Sequence, residues 1–306
     1  MSIAASPSAP AAPDDLVAPF SLDNAPVRGR IARLGPGALD PILRRHDYPR
    51  PVAMLLGEAL TLAALVGSLL KTEGRLVVQA QGEGPAPLLV AEHSAGGLRG
   101  YARLAEGAAA KLANANRLPP AELLGAGNLV LTLDLGADTN PYQGVVPLEG
   151  ATLAACAETY FRASEQTETG IKLTVGEVIS GDAPQLWRAG GVLMQRLASD
   201  QARGDTGEDW NRASLLFATL RDEELIDPDL PADRLLYRLF HEEGARMDAP
   251  ASLEDRCTCN EERLTAVMRR FPREELRELV EPDGKLHARC QFCSRAYLIA
   301  PETVGA

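Results

Sequence analysis

"PVAMLLGEALTLAALVGSLLK", Pro51 to Lys71, decides between two very different folds. From Pro51 to Leu70 it is nearly free of charge, and a run of about twenty apolar residues is long enough to cross a bilayer. Glu58 lies inside the run, however, and a carboxylate in hydrocarbon is costly. Gly57, Thr61, Gly67 and Ser68 soften it further. The residues point instead to a long helix buried in the core of a soluble protein.

The flanking sequence gives that helix something to be buried in. Upstream, "VRGRIARL" sets polar Arg28 and Arg30 between Val27, Gly29 and Ile31, the alternation of a half-buried strand. "GALDPILRRHDY" reads as a short helix that stops before Pro49. Downstream, "GRLVVQAQGEGPAPLLVAEH" and "GGLRGYARLAE" are short β-rich runs divided by Gly/Pro turns, as in antiparallel hairpins. "GNLVLTLDLG", "QGVVPLEG" and "GIKLTVGEVI" add strands, and "EGATLAACAETYFRASEQT" reads as an amphipathic helix. "QLWRAGGVLMQRLA" also takes a helical pattern. Strands in runs with interspersed helices indicate an α+β domain, not repeated βαβ units.

The expected organisation has four parts. Residues 1–13 are Ala/Ser/Pro-rich and read as a disordered tail. They hold no Lys or Arg and no apolar stretch, so no export signal is expected. Residues 14–198 form the α+β domain with its long buried helix. Residues 199–250 turn rich in Asp, Glu and Arg, with thin apolar stripes at Trp210, Leu215, Leu216 and Leu220, then Leu235, Leu236, Leu239 and Phe240. They read as a linker of short helices of low local stability, folding only where they dock. Residues 251–306 form a small module holding four of the five cysteines.

Charge narrows the function. Forty-two acidic residues against 31 basic ones give a net charge of −11, which argues against nucleic acid or an anionic membrane as partner. A reducing, cytoplasmic compartment is expected, and paired cysteines there are metal ligands or redox-active thiols. Cys257-x-Cys259 is followed by thirty residues, 260–289, and then Cys290-x-x-Cys293. Each pair can supply one edge of the tetrahedron that zinc requires. "NEERLTAVMRRF" and "REELREL" between them read as two short helices, and "KLHARC" as a strand entering the second knuckle. A module of about fifty residues cannot build a large core, so a metal clip is what it needs. Cys156, among alanines, reads as a small buried hydrophobe. His287 stands three residues before Cys290 and could support the site. "QGEGP" is a turn without a nucleotide-binding frame, and no catalytic constellation is visible.

"CTC…CQFCSRAY" resembles the zinc switch of the 33 kDa chaperonin family, the redox-regulated heat-shock holdases of the bacterial cytoplasm. "VRGRIARL", "RRHDYPRPVAMLLGEAL", "LLKTEGRLVVQAQGEGP", "RGYARL", "YFRASEQT" and "LFHEEG" resemble its other landmarks in the same order, over about Asp15 to Ala300. The tail and "AAC" at Cys156 lie outside that pattern. The resemblance implies one zinc ion per reduced chain, held by Cys257, Cys259, Cys290 and Cys293, and no enzyme activity. It implies that the reduced form is an inactive monomer. Oxidants then convert the thiolates to disulfides, assigned here as Cys257–Cys259 and Cys290–Cys293. Zinc leaves, the linker unfolds, and the chain binds unfolding client proteins without ATP, as a dimer. Loop closure supports such a switch: a clip across about thirty residues is worth roughly 3.5–4 kcal/mol in the chain-entropy model, within a structural zinc contribution of roughly 10–16 kcal/mol. Disulfides inside each pair close only tiny loops. A zinc-ribbon adaptor binding nucleic acid or protein is the alternative, but Arg and Glu are mixed throughout the module. A zinc enzyme would need an open coordination position, which four thiolates do not leave.

Overall fold

The computed structural model describes residues 14–70, 74–136, 139–179, 184–198 and 206–305. The expected tail, residues 1–13, lies outside them. The chain divides into two compact units between Asp255 and Arg256.

In the first unit β1 (Leu16–Leu22) and β2 (Val27–Leu34) form a hairpin, followed by α1 (Asp40–Arg44) and α2 (Arg50–Gly67). Then come β3 (Arg75–Gly82), β4 (Leu88–Ser94), β5 (Gly97–Arg103), α3 (Ala108–Leu112), α4 (Pro120–Leu124), β6 (Gly127–Asp134) and β7 (Tyr142–Pro147). After α5 (Leu153–Ser164) run β8 (Thr169–Val178) and β9 (Leu186–Arg196). Three short helices follow: α6 (Gly207–Phe217), α7 (Asp222–Ile226) and α8 (Ala232–Phe240). The unit closes with β10 (Ala245–Met247), β11 (Ala251–Ser252) and β12 (Glu254–Asp255).

The first sheet has the order β10-β1-β2-β9-β8, with β11 also on β1; the second has the order β12-β5-β4-β3-β6-β7. Pairing is antiparallel except for the short β12–β5 contact. Helix α2 packs against strands of both sheets, which is why it can be apolar on every side. Among the described residues it is the helix long and apolar enough to cross a membrane by length and composition, and 94% of that stretch is buried inside the protein. Ile42, Leu56, Leu60, Leu65, Leu76, Leu129, Leu173 and Leu193 belong to the main core around it. Glu58 is buried too, with Arg117 donating to it at 2.7 Å.

The α+β antiparallel class stands, but "QLWRAGGVLMQRLA" is β9, not a helix. Its apolar residues are spaced as on a helix because the strand is buried on both faces, where the period of two disappears. The Gly190–Gly191 pair carries the reason. A Cβ on Gly190 would lie 2.2 Å from the carbonyl oxygen of Leu225, and one on Gly191 2.7 Å from the Thr61 methyl. The strand is glycine where other elements approach it closely, and two glycines cost a helix about 2 kcal/mol.

The second unit contains α9 (Glu261–Met268), α10 (Arg273–Glu278), β13 (Leu286–Arg289), β14 (Ala296–Ile299) and α11 (Pro301–Val304). Its core is small: Leu276, Leu286, Ile299 and Val304 are buried, with Leu264, Met268, Val280, Ala288 and Tyr297 packed around them.

Candidate metal centre

Both knuckles are shaped by local backbone chemistry. Cys257 and Cys259 lie in the irregular stretch that ends at Asn260, whose side chain caps α9 by accepting from the Arg263 N–H at 2.8 Å. Arg263 also donates to the Thr258 carbonyl at 2.7 Å, drawing the Cys-x-Cys stretch onto the helix start. Cys290 follows β13, and the turn after it is closed by two backbone bonds. The Ser294 N–H donates to the Cys290 carbonyl at 2.9 Å and the Cys290 N–H to the Arg295 carbonyl at 3.0 Å. Ser294 takes the left-handed conformation, φ 59°, to complete that turn.

The result is convergence of the four thiols named from sequence. The Sγ atoms of Cys257, Cys259, Cys290 and Cys293 all lie within 4.8 Å of one another. Cys257 and Cys290 are 3.8 Å apart, and Cys259 and Cys293 3.3 Å. A tetrahedral ion with sulfurs at about 2.3 Å sets them about 3.8 Å apart, so this donor set fits zinc in both chemistry and size. Burial opposes a thiolate at Cys259, yet hydrogen bonds from Tyr297 and the other three thiols bring it down to about 7. Burial and its hydrogen bond toward Cys259 push Cys293 up to about 12.

Tyr297 was not legible as a site residue; its hydroxyl stands 3.2 Å from the Cys259 sulfur. His287 stands outside the four converging groups, with its Nε2 2.9 Å from an Asp283 carboxylate oxygen. Cys156 is 1% exposed and its thiol is held above the usual range by burial, as befits a core residue.

A second candidate surface lies in the first unit. Helices α6 to α8 cover the outer face of the first sheet, burying Leu220, Leu225, Leu235, Leu236, Leu239 and Phe240 against Phe20, Ile31, Val192 and Met194. Phe20 and Phe240 stack with centroids 6.2 Å apart. Leu215, counted in the stripe, is instead 73% exposed. It falls off the Trp210–Ala213–Phe217–Leu220 face that meets the sheet.

Comparison with known proteins agrees with this architecture. The sequence model of the Hsp33 protein family matches residues 15–300. The "33 kDa chaperonin" of Caulobacter vibrioides (strain NA1000 / CB15N) is 51% identical over 290 residues, covering 94% of this chain and 95% of the relative. That of Cronobacter sakazakii is 37% identical over 280 residues, 91% and 90% of the two chains. A solved structure of the 33 kDa chaperonin from Thermotoga maritima superposes with a TM-score of 0.75 at 23% identity, over 95% of this chain and 96% of that one. With its sheets, its buried helix and its cysteine cluster all inside the matched span, this chain belongs to the Hsp33 protein family.

Proposed function

We propose that this chain is a redox-switched, ATP-independent holdase, in which oxidation of four cysteines frees a client-binding face. The observation that carries the reading is the covered sheet: three short helices of residues 207–240 hide a continuous apolar surface that includes Phe20, Ile31, Val192 and Met194. An apolar face of this kind, once bared, holds unfolding chains. Residues 199–250 act as the linker and 251–306 as the switch module.

Zinc, when bound by Cys257, Cys259, Cys290 and Cys293, clips the two knuckles together and keeps their sulfurs as thiolates, the oxidisable form. Each disulfide forms as two thiolates give two electrons to hydrogen peroxide, which takes up two protons from solvent and leaves as two waters. The sulfurs are near one another both within and between pairs, so proximity does not choose the pairing. Function favours Cys257–Cys259 and Cys290–Cys293, because cross-pair bonds would keep the thirty-residue loop closed. With its donors gone and a core of four buried apolar side chains, the module unfolds.

The linker then loses its far anchor. Strand β12 ends at Asp255, two residues before Cys257, and β10, β11 and β12 are held by pairings only two or three residues long. Fraying these frees the C-terminal end of α8. The named partners are unfolded clients in the cytoplasm, with a monomer when reduced and a homodimer when oxidised. Nine basic and eight acidic side chains between Arg256 and Ala306 leave the module no one-signed field for nucleic acid. The test is suppression of aggregation of a thermally unfolding enzyme, without ATP. Peroxide-treated chain should suppress it and reduced, zinc-loaded chain should not; equal behaviour of the two refutes the switch.

A further inference from the structure

The contact between the sheet and α7 is more than apolar. Three cations on the first sheet reach across and donate to linker backbone carbonyls. Arg33, 1% exposed on β2, donates to Asp227 and Leu230. Arg188 on β9 donates to the Ile226 carbonyl at 3.0 Å, and Lys172 on β8 to that of Leu220 at 2.6 Å. Lys172 also pairs with the Asp222 carboxylate at 3.0 Å, with Arg117 at 4.0 Å on its other side.

The segment they hold matches them in charge. "DEELIDPDLPAD", Asp222 to Asp233, has six acidic residues and no basic one. Its leucines point into the same seat, with Leu225 fully buried. On the sheet side the acidic partner of Arg33 and Arg188 is Asp14, at 3.6 Å and 2.5 Å. When the segment lifts, three cations therefore face one carboxylate, a local charge of about +2 on a chain whose net charge is −11. Two guanidinium groups sharing one carboxylate, with an ammonium that has lost its carbonyl and carboxylate partners, are under-satisfied in a half-buried site, so the bared seat favours whatever restores the lost acceptors.

We propose that the seat beneath Asp222–Asp233 is a segment-binding site for unfolding chains, selective for acidic, leucine-bearing stretches. The linker is its intramolecular occupant. Arg33, Arg188 and Lys172 read carbonyl oxygens and carboxylates, and the surrounding sheet takes the leucines. This rests on the holdase reading and adds a client class to it. The overall charge of the chain predicts the opposite preference, for basic segments, so the two causes give opposite rank orders.

The test uses the full, peroxide-oxidised chain and three fluorescent peptides read by anisotropy. One has the sequence of residues 220–235, one replaces its acidic residues by Asn and Gln, and one replaces them by Lys. The acidic peptide should bind about tenfold more tightly than the neutral one, with the Lys peptide weakest. Lys172→Met, at a partly exposed position, should bring the acidic and neutral peptides to within about twofold, and Arg188→Met should do so wherever that variant folds. A preference for the Lys peptide, no preference, or no binding by a chain that suppresses aggregation overturns the proposal. So does a preference that Lys172→Met leaves intact. Failure of the oxidised chain to suppress aggregation at all is a different result, and refutes the holdase reading itself.

Discussion

Gly190→Ala should open the linker without any oxidant. The added Cβ would stand 2.2 Å from the Leu225 carbonyl oxygen and 2.9 Å from its carbonyl carbon. Those are backbone atoms and cannot rotate away, so one element must move by about 1 Å to restore van der Waals contact. Strand β9 is paired along its length to β2 on one side and β8 on the other, and will not move. Helix α7 will, and a shift of that size breaks the 3.0 Å bond from Arg188 to Ile226. Losing one charge-assisted hydrogen bond and loosening Leu225 costs about 2–4 kcal/mol. Strand β9 stays folded when the linker opens, and Gly190 has no positive φ to strain, so this cost falls on the docked state alone. A loss of about 2–4 kcal/mol raises the open population about 30- to 900-fold. Initial cleavage by a Glu-specific protease within residues 222–243 should rise by that factor in the reduced protein, because cleavage tracks the open population. The reduced variant should also suppress client aggregation. Unchanged cleavage with an unchanged fold would mean that the sheet yields instead of the linker, and would refute the reasoning.

Three further outcomes follow from the same structure. Metal analysis of the reduced, desalted chain should give about one zinc per molecule, and Cys293→Ser should lower it sharply; unchanged content would remove Cys293 from the ligand set. Burial raises Glu58 from 4.5 to about 7 despite Arg117, so the folded chain holds that proton more tightly than the unfolded one. Stability should then fall by on the order of 2–3 kcal/mol as pH rises from about 4.5 to about 7, a slope that Glu58→Gln should remove and whose persistence would count against the burial argument. Peptide mapping during peroxide treatment should find Cys290–Cys293 before Cys257–Cys259, because the Cys-x-Cys ring is the more strained; a main product joining Cys259 to Cys290 would contradict the release of the loop.

What could be read from sequence was what local spacing carries. The paired cysteines, the helices between them and the strand into the second knuckle follow from neighbours along the chain. The buried helix follows from an unbroken apolar run with a single carboxylate. Strand β9 was not legible because burial on both faces erases its alternation, although the Gly190–Gly191 pair was a warning. Arg33 looks like another solvent-facing arginine in "VRGRIARL"; its burial is decided by carbonyls 194 and 197 residues away. Tyr297 likewise gains its place beside Cys259 only when β14 pairs with β13.

The central claim is that oxidising the four cysteines uncovers the first sheet. Hydrogen exchange on the full chain, before and after peroxide, tests it most directly. Amides of residues 207–240 should lose protection after oxidation while β2, β8 and β9 keep theirs. Retained protection across 207–240 in a chain that has lost all four thiols would contradict the account.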